Sequence, residues 1–316
     1  MSAIEGWSGR IDLPEDASTR RWHQWVRAPQ PGSEPGVAVL GFACDEGVRR
    51  NHGRVGAAEG PAALRRMLSN LPVLDDAPLY DAGTVACADG DLEAAQTRYA
   101  EAMAALLDAG HLAVGLGGGH EIAFASYLGL ARHLRARRPR VAIVNIDAHF
   151  DLRRQDQGSS GTPFLQAIED ARERGLPLDY LAYGISAAAN TRVLFDTANA
   201  LGVHYVRDDE LGLLELPQRL AELKEKLADV DAIYLTIDID GLPHAMAPGV
   251  SAPAARGVPM EVVEPLLDAV AATGKLMLMD VAELSPPLDR DNVTARVAAR
   301  LIHRVAHAAM MATRAS

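Results

Sequence analysis

The stretch V-A-I-V-N-I-D-A-H-F-D at residues 141–151 decides the fold prediction. Its first half is mostly apolar and rich in β-branched residues, which is typical of a strand that is buried on both faces. The second half contains Asp147, His149 and Asp151, which alternate with apolar residues. Because side chains two positions apart lie on the same side of an extended chain, these three ionisable groups share one face at the end of the strand.

Apolar runs of the same kind recur from Gly36 onward and are separated by longer segments with helical periodicity. This alternation is typical of βαβ units and a parallel sheet. The predicted strands are Val37–Cys44, Leu79–Asp81, Leu112–Leu116, Val141–Asp147, Tyr180–Gly184, Val203–Val206, Ile233–Asp238 and Leu276–Asp280. The predicted helices are Pro61–Leu68, Leu92–Asp108, Glu121–Arg137, Pro217–Leu227, Glu261–Thr273 and Thr294–Ala312.

The sequence has no internal repeat and no composition shift that would mark a second domain. We therefore predict an α/β fold: a single three-layer α/β/α domain over residues 36–316, with a mostly parallel sheet of about eight strands. Residues 1–35 contain scattered proline, glycine and charge. We expect them to form an N-terminal arm or an irregular lead-in.

The charge balance restricts the possible partners. The chain has 31 basic and 42 acidic residues, a net charge of −11, which argues against nucleic acid or an anionic membrane as a partner. Cys44 and Cys87 show no disulfide pattern, and the N-terminus lacks the apolar core of a signal peptide. We expect a cytoplasmic protein.

Two further strands also end in polar side chains. Asp238 and Asp240 share a face at the end of Ile233–Asp238, and His120 follows the glycine turn after Leu112–Leu116. In open parallel sheets the ligand site lies beyond the carboxyl ends of the strands, so these groups are expected to meet the 147–151 group there. A single strand-end aspartate usually caps a helix or forms a turn, but three such clusters together indicate a shared site.

Ionisable groups that converge in a buried place repel one another unless a cation neutralises them. The mixture of carboxylate and imidazole suits Mn²⁺ and similar ions, and the number of carboxylates is enough to bridge two metals roughly 3.5–4 Å apart. We therefore predict two divalent metals per chain. The predicted ligands are His120, Asp147, His149, Asp151, Asp238 and Asp240.

These three motifs, in this order and spacing, resemble the ureohydrolase (arginase and agmatinase) superfamily from about Gly36 to the C-terminus. The resemblance implies a ureohydrolase-type catalytic domain with two Mn²⁺ per chain, in a homo-oligomer that is a trimer or a hexamer. By motif position, the first metal would be held by His120, Asp147, Asp151 and Asp238. The second would be held by Asp147, His149, Asp238 and Asp240, with Asp147 and Asp238 bridging.

The segment Met279–Glu283 resembles the D-x-x-E motif at the end of the family's last strand. The resemblance implies that Glu283 pairs with a cationic amidine or guanidine in the substrate. We further predict that Asp151 or Asp240 relays a proton to the departing nitrogen, so that Asp151, Asp240 and Glu283 are the catalytic candidates.

Within the superfamily, the chain looks most like the formimidoylglutamases. Ser160 stands where arginases and agmatinases carry a histidine, and the G-G-H-E at 118–121 replaces their G-G-D-H. Asp240-Gly-Leu-Pro also lacks the third aspartate of the arginase motif. The resemblance implies a hydrolase that cleaves the amidine C–N bond of N-formimidoyl-L-glutamate into L-glutamate and formamide, a step of histidine degradation.

Such a substrate has two carboxylates, which guanidinium groups recognise well. Arg153 follows the metal motif directly, and a basic loop after the first strand contains Arg50 and Arg54. Together with Ser160 and Asn190, these arginines are the predicted substrate-binding residues.

Other functions remain open at this stage. The closest alternative is a guanidino-acid or agmatine-type ureohydrolase that releases urea. A metal-dependent amide deacylase would use one metal and a pair of histidines. A metal-binding regulatory or structural protein would show no turnover.

Overall fold

The computed structural model describes residues 6–135 and 138–315. Eight strands form one sheet in the order β2-β1-β3-β8-β7-β4-β5-β6, and every neighbouring pair is parallel. The strands are β1 (Val37–Ala43), β2 (Leu79–Ala86), β3 (Leu112–Leu116), β4 (Val141–Ile146), β5 (Leu178–Ile185), β6 (His204–Arg207), β7 (Ala232–Asp238) and β8 (Leu276–Ala282). All eight correspond to predicted strands.

The α-helices are α1 (Trp22–Trp25), α2 (Glu46–Arg50), α3 (Gly60–Leu68), α4 (Leu92–Asp108), α5 (Ile122–His133), α6 (Pro163–Arg174), α7 (Arg192–Leu201), α8 (Leu216–Ala228), α9 (Met260–Ala271) and α10 (Val293–Ala315). The prediction for α5 extended to Arg137, but the helix ends at His133, and positions 136–137 lie outside the described residues. Among the described helices, none combines the length and the apolar character needed to cross a membrane.

Helices α6 and α7 were not predicted, although the sequence contains residues that are typical of helix ends at their boundaries. Helix α6 begins at Pro163, where a missing N–H costs nothing, and stops at Gly175 in the left-handed conformation (φ 65°). Helix α7 stops in the same way at Gly202 (φ 76°). Both helices follow polar stretches whose composition also suits a site loop, so the sequence before each cap does not by itself indicate a helix.

Each strand contributes alternate residues to two apolar cores. In β1, Val37 and Val39 pack on one face of the sheet, while Ala38 and Leu40 pack on the other. The first core is completed by α3, α8, α9 and α10, and the second by α4, α5, α6 and α7. The sheet is therefore buried on both faces, which explains why its strands are continuous apolar runs.

The N-terminal segment is fastened to this domain although it contains little regular structure. The indole of Trp7 donates to the Asp81 carboxylate, which also accepts two hydrogen bonds from the Arg65 guanidinium. Trp22 is buried in the first apolar core. Each polar group of this buried cluster therefore has a partner.

The strand order brings the predicted site residues together. The four adjacent central strands β3, β8, β7 and β4 are the ones whose carboxyl ends lead to His120, Glu283, Asp238 and Asp147. Ile146 of β4 is in register with Ile237 of β7, so the residues that follow, Asp147 and Asp238, lie side by side. The sheet itself therefore sets the spacing of the carboxylates.

The glycine turn after β3 is required by close backbone approach. A Cβ on Gly118 would lie 1.8 Å from the carbonyl oxygen of Cys44, and Gly119 N–H donates to that same oxygen at 2.9 Å. A Cβ on Gly117 would lie 2.4 Å from the carbonyl oxygen of Val281. The turn is thus held between the ends of β1 and β8, and this fixes the place of His120.

The substitution Gly118→Ala tests this packing. Because the clash is with a backbone carbonyl that the sheet holds in place, the free energy of unfolding should fall by about 3 kcal/mol, the upper range for overpacking. Urea denaturation measures the change. The control is Gly212→Ala, whose Cβ would meet the movable Glu215 carboxylate and should change stability by less than about 0.5 kcal/mol. Equal midpoints for the two variants would contradict the close approach.

Candidate metal centre

His120 is the centre of the first group of side chains. It is 1% exposed, and its Nδ1 atom lies 3.2 Å from Asp147 Oδ2, 2.9 Å from Asp151 Oδ2 and 3.1 Å from Asp238 Oδ2. None of these contacts has hydrogen-bond geometry, so Nδ1 has no hydrogen-bond partner among the described residues. The other ring nitrogen, Nε2, lies 3.0 Å from the Thr236 hydroxyl. A proton on Nε2 leaves the Nδ1 lone pair directed at the three carboxylates, as a metal ligand requires.

Asp147, His149 and Asp240 form the second group. His149 Nδ1 lies 3.5 Å from Asp147 Oδ1 and 3.3 Å from Asp240 Oδ2. The Oδ2 atom of Asp147 faces His120 and its Oδ1 atom faces His149, which is the arrangement of a carboxylate shared between two cations. All the predicted ligands are therefore brought together, in two groups that share Asp147.

Asp238 lies in the first group. Its Oδ2 atom faces His120, while its Oδ1 atom accepts a hydrogen bond of 2.8 Å from the backbone N–H of Asp240. The second group formed by side-chain proximity does not include Asp238. A bridging role for Asp238 therefore stays a prediction.

The charges of the cluster indicate that it needs a cation. Burial, followed by the charges of Asp240 and Asp147, raises the pKa of Asp238 well above its usual range, and burial raises the pKa of Asp240 to about 6. Burial by itself would lower the pKa of His120, but the surrounding carboxylates raise it well above its usual value. A divalent ion held by these side chains would relieve the repulsion between the carboxylates and would displace protons from them.

The donor set fits Mn²⁺ or a similar ion. It consists of carboxylate oxygens and imidazole nitrogens without a thiolate, and Asp240 Oδ1 is buried without a hydrogen-bond partner among the described residues. Carboxylate-rich sites of this kind favour such ions over metals that prefer sulfur.

Two residues of the centre have a strained backbone. Asp151 has φ 49° and Glu283 has φ 67°, a region that side chains with a Cβ rarely adopt. Glu283 Oε1 accepts a hydrogen bond of 2.8 Å from His120 N–H, and Glu283 N–H donates to the Gly118 carbonyl. The end of β8 is therefore tied to the turn after β3, with the Glu283 carboxylate beside the metal ligands.

A cavity of about 440 Å³ opens above both groups. Its floor contains His120, His149, Asp151, Asp238 and Asp240, and Glu283 lies at its side. Of the predicted substrate-binding residues, Arg54, Arg153, Ser160 and Asn190 contribute to the wall. The cavity can therefore bind a small molecule directly above the two groups.

Three of those predicted binding residues use their polar atoms within the protein. Arg50 does not line the cavity, because its guanidinium bonds to Glu46, to Glu93 and to the Gly158 carbonyl. Arg54 donates to the carbonyls of Val250 and Ser251. The Asn190 amide accepts from Phe150 N–H and donates to the carbonyls of Ala148 and Ser186. These three side chains hold loops in position.

Arg153 differs from them. Its guanidinium is partly buried in the cavity wall and has no ion pair or hydrogen bond to any other described residue. Ser160 is also in the wall, and its hydroxyl oxygen accepts a hydrogen bond of 3.3 Å from the Asn51 amide. The cavity thus has an acidic, metal-binding floor and a wall with an unpaired positive charge.

Several residues of the site were not predicted from the sequence. Asn51, His52, Gln155 and Ser251 line the cavity. In the basic loop after β1, the cavity lining includes Asn51 and His52, the two residues between Arg50 and Gly53. The position of Thr236 beside the site could have been predicted from the sequence. It lies two residues before Asp238 and therefore on the same face of the strand.

Comparison with known proteins agrees with this geometry. The model of the arginase family matches residues 35–308. The chain belongs to the arginase family. The α/β prediction is thereby confirmed as an arginase-like fold with eight parallel strands.

Similar curated proteins share about half of their residues with the chain. It is 57% identical to the formimidoylglutamase of Ralstonia nicotianae, over 95% of this chain and 94% of that protein. It is 53% identical to the formimidoylglutamase of Aeromonas salmonicida, over 96% of this chain and 98% of that protein.

Solved structures are similar over most of their length. The formiminoglutamase of Trypanosoma cruzi, solved with Mn²⁺, is 25% identical with a TM-score of 0.75 and covers 88% of this chain and 94% of its own. The formimidoylglutamase of Bacillus subtilis has a TM-score of 0.85 at 20% identity, over 98% of this chain and 96% of its own. At that identity the second similarity shows the fold alone.

The substitution Asp147→Asn tests the shared carboxylate. Metal analysis after dialysis should find two Mn²⁺ per wild-type chain and at most one in the variant, because the amide cannot neutralise two cations. In the wild type, Mn²⁺ at a hundred times its dissociation constant should add about 2.7 kcal/mol of stability per site. The control is Asp196→Asn, on the exposed face of α7. Two tightly bound metals in Asp147→Asn would contradict the sharing.

Proposed function

We propose that this protein hydrolyses N-formimidoyl-L-glutamate to L-glutamate and formamide, with two Mn²⁺ bound per chain. The family, the names of the similar curated proteins and the two donor groups support this proposal. The choice of substrate rests on Arg153, whose guanidinium has no partner among the described residues and faces the same cavity as the metal ligands. A charge left unpaired in a cavity wall is stabilised when an anionic substrate binds.

In this proposal the amidine end and the glutamate end of the substrate bind to different parts of the cavity. The cationic amidine lies over the floor, where the Glu283 carboxylate orients it through charge-assisted hydrogen bonds. A carboxylate of the glutamate half lies against Arg153. The reacting carbon is thereby held between the ligand groups and the wall, which is the positioning part of catalysis.

Two divalent cations bound here would supply Lewis-acid activation of the attacking water. Asp151 or Asp240 would accept a proton of that water and pass it to the glutamate nitrogen as the C–N bond breaks. Asp240 is suited to this relay because its Oδ1 atom has no other partner among the described residues. Thr236 would keep the His120 ring in one tautomer during the reaction.

Ser160 is not assigned a nucleophilic role. Its recorded side-chain partner is the Asn51 amide, which donates a hydrogen bond and cannot remove a proton from the hydroxyl. No covalent intermediate on the protein is therefore included in the proposal.

A substrate panel tests the reaction. The Mn²⁺-loaded protein is incubated with N-formimidoyl-L-glutamate, agmatine, L-arginine and several guanidino acids, and the products are assayed for formamide and for urea. We expect formamide and L-glutamate from the first compound and little urea from the others. Urea released efficiently from a guanidino acid would favour the alternative ureohydrolase function over our proposal.

The substitution Arg153→Ala tests recognition of the acidic end. Loss of a hydrogen bond to a charged group is worth about 1.5–3 kcal/mol, so kcat/KM should fall by roughly 10- to 150-fold. Most of the effect should be a higher KM. The control is Arg154→Ala, because Arg154 is exposed and pairs with Glu169. If KM is unchanged in Arg153→Ala, Arg153 does not bind the substrate.

The proposal also includes the cellular location and the oligomeric state of the protein. A cytoplasmic protein is supported by its two free cysteines, Cys44 and Cys87. A homo-oligomer, trimeric or hexameric, rests on the analogy with the family, and light scattering after gel filtration measures it.

A further inference from the structure

Gly161 lies at the point where two polar side chains of the cavity wall converge. A Cβ on Gly161 would lie 2.8 Å from Arg153 Cδ, 3.1 Å from Arg153 Nε and 3.1 Å from Asn51 Nδ2. The guanidinium and the amide thus pack against the same face of one glycine. A side chain of any size at this position would push at least one of them away.

Two loops are joined so that this convergence is maintained. Arg50 donates to the carbonyl of Gly158 at 3.0 Å, and Asn51 donates to the hydroxyl oxygen of Ser160 at 3.3 Å. Arg153 N–H also donates to the Gly161 carbonyl at 2.9 Å. The end of α2, which contains Arg50 and is capped by Asn51, is therefore fastened to the loop before α6.

The hydrogen-bonding capacity of Asn51 is only partly used by the protein. Its amide has two N–H groups, and Nδ2 has one recorded acceptor, the Ser160 oxygen. Ser160 accepts that bond, and its own O–H has no acceptor among the described residues, so the O–H can donate into the cavity. Arg153, Asn51 and Ser160 together present hydrogen-bond donors on one wall.

From this arrangement we infer that Asn51 is a specificity-determining residue, which binds one substrate carboxylate together with Arg153. Gly161 lies beneath both side chains and leaves room for them. We call the site formed by Asn51, Arg153 and Gly161 the carboxylate seat. A carboxylate accepts several hydrogen bonds, and a neutral amide beside the guanidinium adds a donor without adding a charge. The inference rests on the proposed function, since it says which residues select an acidic substrate for that reaction.

The test combines variants with substrate analogues. Asn51→Leu has a similar size but no donor, and Asn51→Asp replaces the donor with a negative charge. Each variant is assayed with N-formimidoyl-L-glutamate and with the two analogues in which the α- or the γ-carboxylate is an amide. We expect Asn51→Leu to lower kcat/KM for the diacid by at least about tenfold, mainly through KM. For the analogue whose amide replaces the carboxylate in the seat, the loss should shrink to within about twofold.

The substitution Gly161→Ala tests whether the carboxylate seat requires a glycine at this position. Its backbone tolerates alanine, because only side-chain atoms lie within 3.1 Å of the new Cβ, so the protein should stay folded while KM rises. The control is Gly212→Ala, which lies outside the cavity lining and whose new Cβ would meet the movable Glu215 carboxylate. KM should be unchanged in that control.

The outcomes separate the inference from the proposed function. Equal losses with the diacid and both analogues, or no loss in Asn51→Leu, would overturn the inference while the function stands. If the wild type does not act on N-formimidoyl-L-glutamate at all, the function fails instead. Calorimetry with L-glutamate and the Mn²⁺-loaded protein then tests the carboxylate seat by itself. Weaker binding in Asn51→Leu and Gly161→Ala, but not in Gly212→Ala, supports it, and equal binding overturns it.

Discussion

The organisation of this molecule depends on the repulsion between carboxylates that are buried around one imidazole. Asp147, Asp151 and Asp238 all direct an oxygen at His120 Nδ1, and Asp240 lies beside His149 in the adjoining group. So many buried acids are costly without positive charge. The fold must therefore hold them rigidly enough that cations, rather than rearrangement, relieve the repulsion.

The sheet provides this rigidity. Four adjacent parallel strands end at the site, and their register places Asp147 beside Asp238 without any contribution from long loops. The turns that follow the strands are tied to one another by the bond from His120 N–H to Glu283 and by the contact of Gly118 with Cys44. The positive φ values at Asp151 and Glu283 persist because the surrounding packing determines these positions.

The wall of the cavity shows why a charged residue near a site need not bind the substrate. Arg50 and Arg54 were predicted to bind it, because both lie in a basic loop that follows the first strand. The structure places the Arg50 guanidinium against Glu46 and Glu93, and the Arg54 guanidinium against backbone carbonyls. Both thereby brace the loop that presents Asn51. Arg153, which follows the metal motif directly in the sequence, faces the cavity without such partners among the described residues.

The sequence was sufficient to predict the strands, the parallel sheet and the set of candidate ligands, because burial on two faces and alternation along a strand are local patterns that the chain must display. It also contained the caps of α6 and α7, at Pro163, Gly175 and Gly202. Only the tertiary structure shows that the second group does not include Asp238, that Arg50 and Arg54 are paired internally, and that Asn51 and Arg153 both pack beside Gly161. These facts depend on which partner each polar atom reaches across large separations in sequence, and no local pattern specifies that choice.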